Sequence, residues 1–132
     1  MVFWIILAVV AGGLAYIRLT PSDVAQWHTP VDASENKNFK AGVVRIVETG
    51  ADGLARLDAI VTQTPRTQVL AGSVDSGMVT YITRSKVFGF PDYTTAQQDG
   101  DTLKIFARLR FGGSDTGVNG ARVKRWITAL QP

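Results

Sequence analysis

The chain has 132 residues with 14 basic and 11 acidic side chains, a formal net charge of +3, no cysteine and one histidine. Lack of cysteine excludes disulfides, thiolate metal sites, cysteine nucleophiles and thioether lipid anchors, and the lone His28 excludes metal sites needing two imidazoles, leaving a carboxylate-only site as the one metal option. The mild positive balance suits an anionic lipid surface or an acidic partner, whereas nucleic-acid binding needs a denser basic stripe with stacking aromatics and is not expected.

Met1 to Ile17 carry no charged side chain, and Trp4 and Tyr16 bracket a run of Ile, Leu, Val, Ala and Gly. At ~1.5 Å per residue a helix here reaches roughly 26 Å, near a ~30 Å hydrocarbon core once Arg18 snorkels. Residues 1–19 are therefore read as a single-pass transmembrane anchor, since no Lys or Arg precedes the apolar run as in a cleaved signal. Gly13-Leu14-Ala15 still presents small residues where a signal peptidase reads, so cleavage after Ala15 stays open. Ala8, Gly12 and Gly13 make a smooth patch on which another helix can dock, or simply reflect the frequency of small residues in spanning helices.

Residues 20–42, with Pro21, Pro30, Asn36 and Asn38 and no sustained apolar period, read as a leader to a domain over residues 43–132. Trp27 and His28 are docking points within it, and His28 lacks the orienting partner a general base needs. β-Branched Val43 to Glu48 predicts a strand. Asp52 then caps a helix with Leu54, Leu57, Ile60 and Val61 on one face, ending before Pro65. Thr67 to Ala71 and Met78 to Arg84 predict a hairpin joined through Gly72, Ser73, Asp75 and Gly77.

A polar tract through Thr94, Thr95, Gln97 and Gln98 leads to an Asp99-Gly100-Asp101 turn. From Leu103 the alternation is clear: Leu103, Ile105, Ala107, Leu109 and Phe111 face one way, and Lys104, Phe106, Arg108 and Arg110 the other. Asn119 or Asp115 can start a last helix with Val118, Val123, Trp126, Ile127 and Leu130 as its apolar stripe. Strand, helix, several strands, helix, with short turns among the middle strands, gives an α+β domain: a mainly antiparallel sheet covered by two helices.

Phe88-Gly89-Phe90-Pro91-Asp92 and Phe111-Gly112-Gly113-Ser114-Asp115 share an F-G-x-x-D pattern. In each, glycine lets the backbone turn and the aspartate can bond nearby N–H groups. Alternatively Arg84, Lys86, Arg108 and Arg110 gather with Asp92 and Asp115 into a polar cleft that holds an anion, arginine being suited to forked recognition of carboxylate or phosphate. Ser73 and Ser114 lack a nucleophile elbow, and the glycines at 112, 113, 117 and 120 match no phosphate-loop spacing.

The run from Arg108 to Val123, R-L-R-F-G-G-S-D-T-G-V-N-G-A-R-V, together with Gly89-Phe90-Pro91-Asp92, resembles the domain of unknown function 1499 family of bacteria and plastids, over approximately Trp27 to Leu130. Leu109 stands where that family commonly has serine, and Gly120 where it commonly has arginine. The resemblance implies a small membrane-associated or exported domain; the expectation is a bacterial inner (plasma) membrane with the domain on the periplasmic side, while Arg18 pulls weakly toward the cytoplasmic side and leaves the orientation open. It implies no reaction, and Arg108, Arg110, Ser114, Asp115, Asn119 and Arg122 are motif positions only, with Arg122 able to reach back to Asp115.

The expectation is thus a non-enzymatic accessory subunit of a respiratory or photosynthetic membrane complex, in contact with membrane lipid and an integral membrane protein complex, with no cofactor and no metal. The rival is a membrane-tethered binding module for an anionic lipid head group or metabolite, using Arg84, Arg108, Arg110 and Arg122 with Asp92 and Asp115.

Overall fold

The computed structural model describes residues 1–131. Helix α1 (Val2–Leu19) is followed by a single-turn helix α2 (Val24–Trp27) and then strands β1 (Lys37–Asn38) and β2 (Gly42–Glu48). Helix α3 (Gly53–Val61) leads to β3 (Thr67–Ser73), β4 (Met78–Arg84), β5 (Pro91–Asp99) and β6 (Thr102–Leu109), and helix α4 (Val118–Leu130) closes the chain. The six strands form one open sheet in the order β1-β2-β6-β5-β4-β3, and every neighbouring pair is antiparallel. The fold is α+β: α3 carries the chain from β2 to the far edge of the sheet, and the meander β3 to β6 brings it back.

The alternation in β6 has the predicted consequence on one face. Leu103, Ile105 and Ala107 are fully buried and meet Leu54, Leu57 and Val61 of α3 and Val123, Trp126 and Leu130 of α4. Each of the larger side chains contributes roughly 1.5–3 kcal/mol by leaving water. The strand stops at Leu109, so Phe111 lies beyond it. Val118 also leaves the apolar stripe of α4 and stands about half exposed.

The tract Thr94 to Gln98 is not a connection but most of β5, a central strand flanked by β4 and β6. Its polar groups are consumed internally except Thr94 Oγ1, which is buried without a partner among the described residues. Thr95 pairs with Thr80 across the strands (Oγ1···Oγ1 2.9 Å), Gln97 Oε1 accepts from the Val31 N–H on one face, and Gln98 Oε1 accepts from the Leu54 N–H on the other, each at 2.8 Å. Threonine is β-branched and fits a pleated strand, so buried hydroxyls with partners cost little there. Gln98 also explains a second departure: Asp52 occupies the N-cap of α3 but gives it no side-chain hydrogen bond, pairing instead with Arg56 at 3.1 Å.

The other face of the sheet is covered by the leader. Trp27 stacks on Tyr93 with ring centroids 4.1 Å apart, His28 Nδ1 pairs with Thr80 Oγ1 at 2.7 Å, and Ser22 Oγ with the Tyr93 hydroxyl at 2.6 Å. Residues 20–42 therefore do not merely link α1 to the domain. They form its second covering layer and supply the edge strand β1.

Candidate functional site

The C-terminal ends of β4 and β6 and the start of β5 lie side by side, because β4–β5 pairing runs to Arg84↔Pro91 and β5–β6 pairing to Asp92↔Leu109. The first turns of α4 pass over this end of the sheet, and a cleft of about 580 Å³ opens between them. Arg66, Arg84, Arg122 and Arg125 line it together with Asp92 and Asp115. A neighbouring hollow of about 500 Å³ shares Arg66 and Arg84 and adds Arg18 and Lys86.

Arg66 and Arg84 are held as a pair. The Arg84 N–H donates to the Arg66 carbonyl (2.9 Å) and Arg66 Nε donates to the Arg84 carbonyl (3.1 Å). Arg66 has a φ of 57°, in the left-handed region that non-glycine residues seldom occupy, as the chain turns from α3 into β3. Arg84 Nη1 donates to the Gly89 carbonyl at 2.9 Å. The structure gives Arg66 Nη1 and Nη2 and the whole Arg125 guanidinium no protein acceptor among the described residues, so these donors face the cleft or solvent.

Deeper in, Arg122 Nη1 donates to Asp92 Oδ2 at 3.3 Å and to Asn119 Oδ1 at 2.8 Å. The pair is nearly enclosed, with side chains 10% and 15% exposed. Burial raises the Asp92 carboxyl above the usual aspartate range; Arg122 pulls it back only in part, and the charge of Asp115 adds to the rise. Asn119 is fully buried, and its Nδ2 has no partner among the described residues. Asp115 takes the capping role: Oδ1 accepts from the Gly117 N–H (2.9 Å) and Oδ2 from the Asn119 N–H (3.1 Å). Gly117, at the N-cap of α4, has a φ of 83°, which lets the chain enter the helix at this angle.

The expected cluster is thus divided. Asp92, Asp115 and Arg122 meet in the cleft and Arg84 borders it, its guanidinium turned to the Gly89 and Ile17 carbonyls, while Arg108 and Arg110 lie on the opposite face of the sheet under the leader. Arg108 Nη2 donates to the Trp27 carbonyl and Nη1 to Thr95 Oγ1 (2.8 Å) and the Phe106 carbonyl (3.1 Å). Its Cζ lies 5.4 Å from the Trp27 ring centroid and 4.6 Å from that of Phe106. Burial pulls the Arg108 pKa down to about 10, so it remains a cation at neutral pH. Arg110 Nη1 donates to the Pro21 carbonyl (3.1 Å) and the Tyr93 hydroxyl (3.0 Å). Both arginines fasten the leader to the sheet and have no donors aimed at the cleft.

Two further corrections concern the motif. Arg122 does not reach back to Asp115; it bonds Asp92, which β5 brings beneath α4. The aspartates of the repeated F-G-x-x-D pattern do different work, Asp115 capping a helix and Asp92 pairing with Arg122, although both glycines turn the chain, at φ 72° for Gly89 and 101° for Gly112. Arg66 and Arg125, which sequence reasoning missed, carry only weak sequence signals: a residue after Pro65, and a charge one turn beyond Arg122 on α4.

A sequence model of the family described as "Protein of unknown function (DUF1499)" matches residues 18–130. The chain belongs to the DUF1499 family. The matched region starts at the last turn of α1 and includes the leader, in agreement with the leader's place as one layer of the domain. No curated protein matches the chain.

All of α1 but its last two residues lies outside the matched DUF1499 region, and every residue of the helix is exposed or half-exposed. Its 18 residues are long and apolar enough to cross a membrane, a property that N-terminal signal sequences share. Among the described residues no group of three or more His, Asp or Glu side chains is placed to hold a metal ion. Ala8, Gly12 and Gly13 lie on α1 clear of the domain, and a Cβ added at either glycine would meet nothing within 4 Å.

Proposed function

We propose that this DUF1499 protein is a membrane-tethered binding module whose strand-end cleft takes an anionic group of the phosphate or carboxylate class. The observation that carries the reading is the cleft itself: four arginines against two aspartates, with Arg66 Nη1 and Nη2 and the Arg125 guanidinium free of protein acceptors among the described residues. A planar guanidinium presents paired N–H donors that match two oxygens of such a group, and a partly enclosed wall strengthens the attraction. Arg122 and Asp92 form the floor and hold α4 at a fixed distance from the sheet. The reading assigns the cleft no reaction. It takes the membrane to be a bacterial inner membrane with the domain on its periplasmic side.

The test is calorimetric titration of the full-length protein, in nanodiscs of zwitterionic lipid, with inorganic phosphate and with a soluble short-chain phosphatidic acid. Binding that is lost in the Arg66→Ala/Arg84→Ala variant and kept in Arg45→Ala supports the reading. Absence of binding to both probes, or equal binding by all three proteins, overturns it.

A second reading, an accessory subunit of a membrane complex, is favoured by α1, whose apolar surface the domain leaves uncovered. Gentle-detergent extraction from the native membrane separates the two: stoichiometric co-purifying subunits favour the accessory role, and recovery of the protein alone favours the binding module.

A further inference from the structure

The six residues Ser85 to Phe90, between β4 and β5, place large apolar side chains in the open: Val87 is 67% exposed, Phe88 50% and Phe90 37%. A loop of a water-soluble domain has no folding reason to present these side chains together, since each costs hydrophobic free energy where it stands. The two phenylalanines pack edge to face, with ring centroids 5.9 Å apart, and form a compact apolar knob. Gly89, at a φ of 72°, makes the reversal that brings them to the same side.

The loop is fastened to the end of α1. Arg18 Nε donates to the Phe88 carbonyl at 3.3 Å and Nη2 to the Val87 carbonyl at 2.5 Å, while Arg84 Nη1 reaches both the Gly89 carbonyl (2.9 Å) and the Ile17 carbonyl (3.5 Å). Tyr16, one turn back in α1, meets Phe111 edge-on at 6.2 Å. These bonds set the knob level with residues 16–19, where an apolar helix entering a bilayer crosses from hydrocarbon to head groups. Arg18, Arg84 and Lys86 ring the same spot with positive charge. Exposed aromatics flanked by cations, in register with the end of a spanning helix, have the composition of an interfacial anchor.

We propose that the Val87-Phe88-Gly89-Phe90 tip inserts into the lipid interface of the leaflet at the C-terminal end of α1, as a second contact with the bilayer beside the helix. The tip would sit about 5–10 Å into the head-group and acyl boundary. Two contacts fix the tilt of the domain where one would leave it to swivel, and they hold the strand-end cleft open toward the lipid head groups. The inference rests on α1 spanning the membrane and does not need the cleft to bind an anion.

The absence of cysteine makes the test clean, because each single-cysteine variant carries one nitroxide label. Full-length Val87→Cys, Tyr16→Cys and Asp75→Cys, reconstituted in vesicles with an anionic lipid fraction, are compared by the ratio of collisions with oxygen to collisions with a water-soluble nickel chelate. Asp75 lies in the hairpin turn between β3 and β4 and serves as the aqueous reference. The expected result is an oxygen-favoured ratio at 87, several-fold above that at 75 and near that at 16. In the Phe88→Asp/Phe90→Asp background the label at 87 should fall to the aqueous ratio with an unchanged circular dichroism spectrum. A ratio at 87 equal to that at 75, with 16 still in lipid, overturns the insertion alone. Aqueous ratios at both 16 and 87 overturn the insertion together with the spanning role of α1, and phosphate titration then tests the cleft separately.

Discussion

Replacing Arg122 with methionine would keep most of the side-chain volume and remove the only cation bonded to Asp92 among the described residues. At 3.3 Å the pair attracts by about 5 kcal/mol at an effective dielectric constant of ~20, against a desolvation cost of similar size. Removing one partner leaves that cost standing, and it also strips Asn119 Oδ1, which is fully buried, of its donor. The expected loss at neutral pH is about 3–5 kcal/mol, the range for a buried pair broken on one side.

The sign of the pH dependence identifies the cause. The Asp92 carboxyl is already raised by burial, and loss of Arg122 would raise it further. A carboxyl whose folded pKa lies above its unfolded value favours the fold below the unfolded pKa, and that favour is lost as pH rises through the folded pKa. The Arg122→Met penalty should therefore be large at pH 7 and shrink as the pH falls through the raised folded pKa toward ~4, below which Asp92 is neutral in both states. Adding Asp92→Asn should recover most of the loss at pH 7. The assay is urea unfolding of the full-length protein in mild detergent, followed by tryptophan fluorescence at several pH values. A penalty that stays the same across pH would refute the electrostatic account and leave only lost packing.

Trp27→Ala should cost about 2–3 kcal/mol, less than a fully enclosed tryptophan because Trp27 is half-buried, and limited proteolysis should then cut within residues 28–36 while the sheet survives. Gly42→Ala should destabilise by about 1–3 kcal/mol, since the added methyl collides with the Ala107 carbonyl oxygen on β6; Gly120→Ala, whose Cβ would touch only Val43 at 3.4 Å, should stay within about 1 kcal/mol of the parent in the same urea unfolding series.

Much of the fold is visible in the sequence wherever a period is strong. β2, the β3–β4 hairpin, β6 and both domain helices follow from β-branched runs, alternation or three- and four-residue spacing. β5 is hidden because Thr94, Thr95, Gln97 and Gln98 look like turn residues, and only the register shows that the Thr95 hydroxyl and the two glutamine amides are used by β4, the leader and α3. Arg108 is hidden for a related reason. Alternation assigns it correctly to the face away from the helices, but whether that face meets water depends on a leader, residues 20–42, with no period of its own.

The cleft is half legible on the same grounds. Arg84 and Asp92 flank a glycine turn and stand at strand ends, so their place at one end of the sheet follows from a hairpin-like return. Arg122 lies thirty positions from Asp92, and their pairing requires α4 to cross β5, which no local pattern encodes. Arg66 is placed by an unusual backbone angle after Pro65 that charge patterning does not register.

The leader's clasp also has a consequence for the order of events during synthesis. α1 and Trp27 leave the ribosome first, yet the Trp27 carbonyl waits for Arg108, 81 residues later, and the Val31 N–H waits for Gln97, 66 residues later. β2 is delayed in the same way, since its partners are β1 and β6. The β3–β4 hairpin can close while the chain is still growing; the back layer cannot. If α1 spans a membrane, as proposed above, it enters before the sheet completes, and the leader docks late, onto newly finished strands.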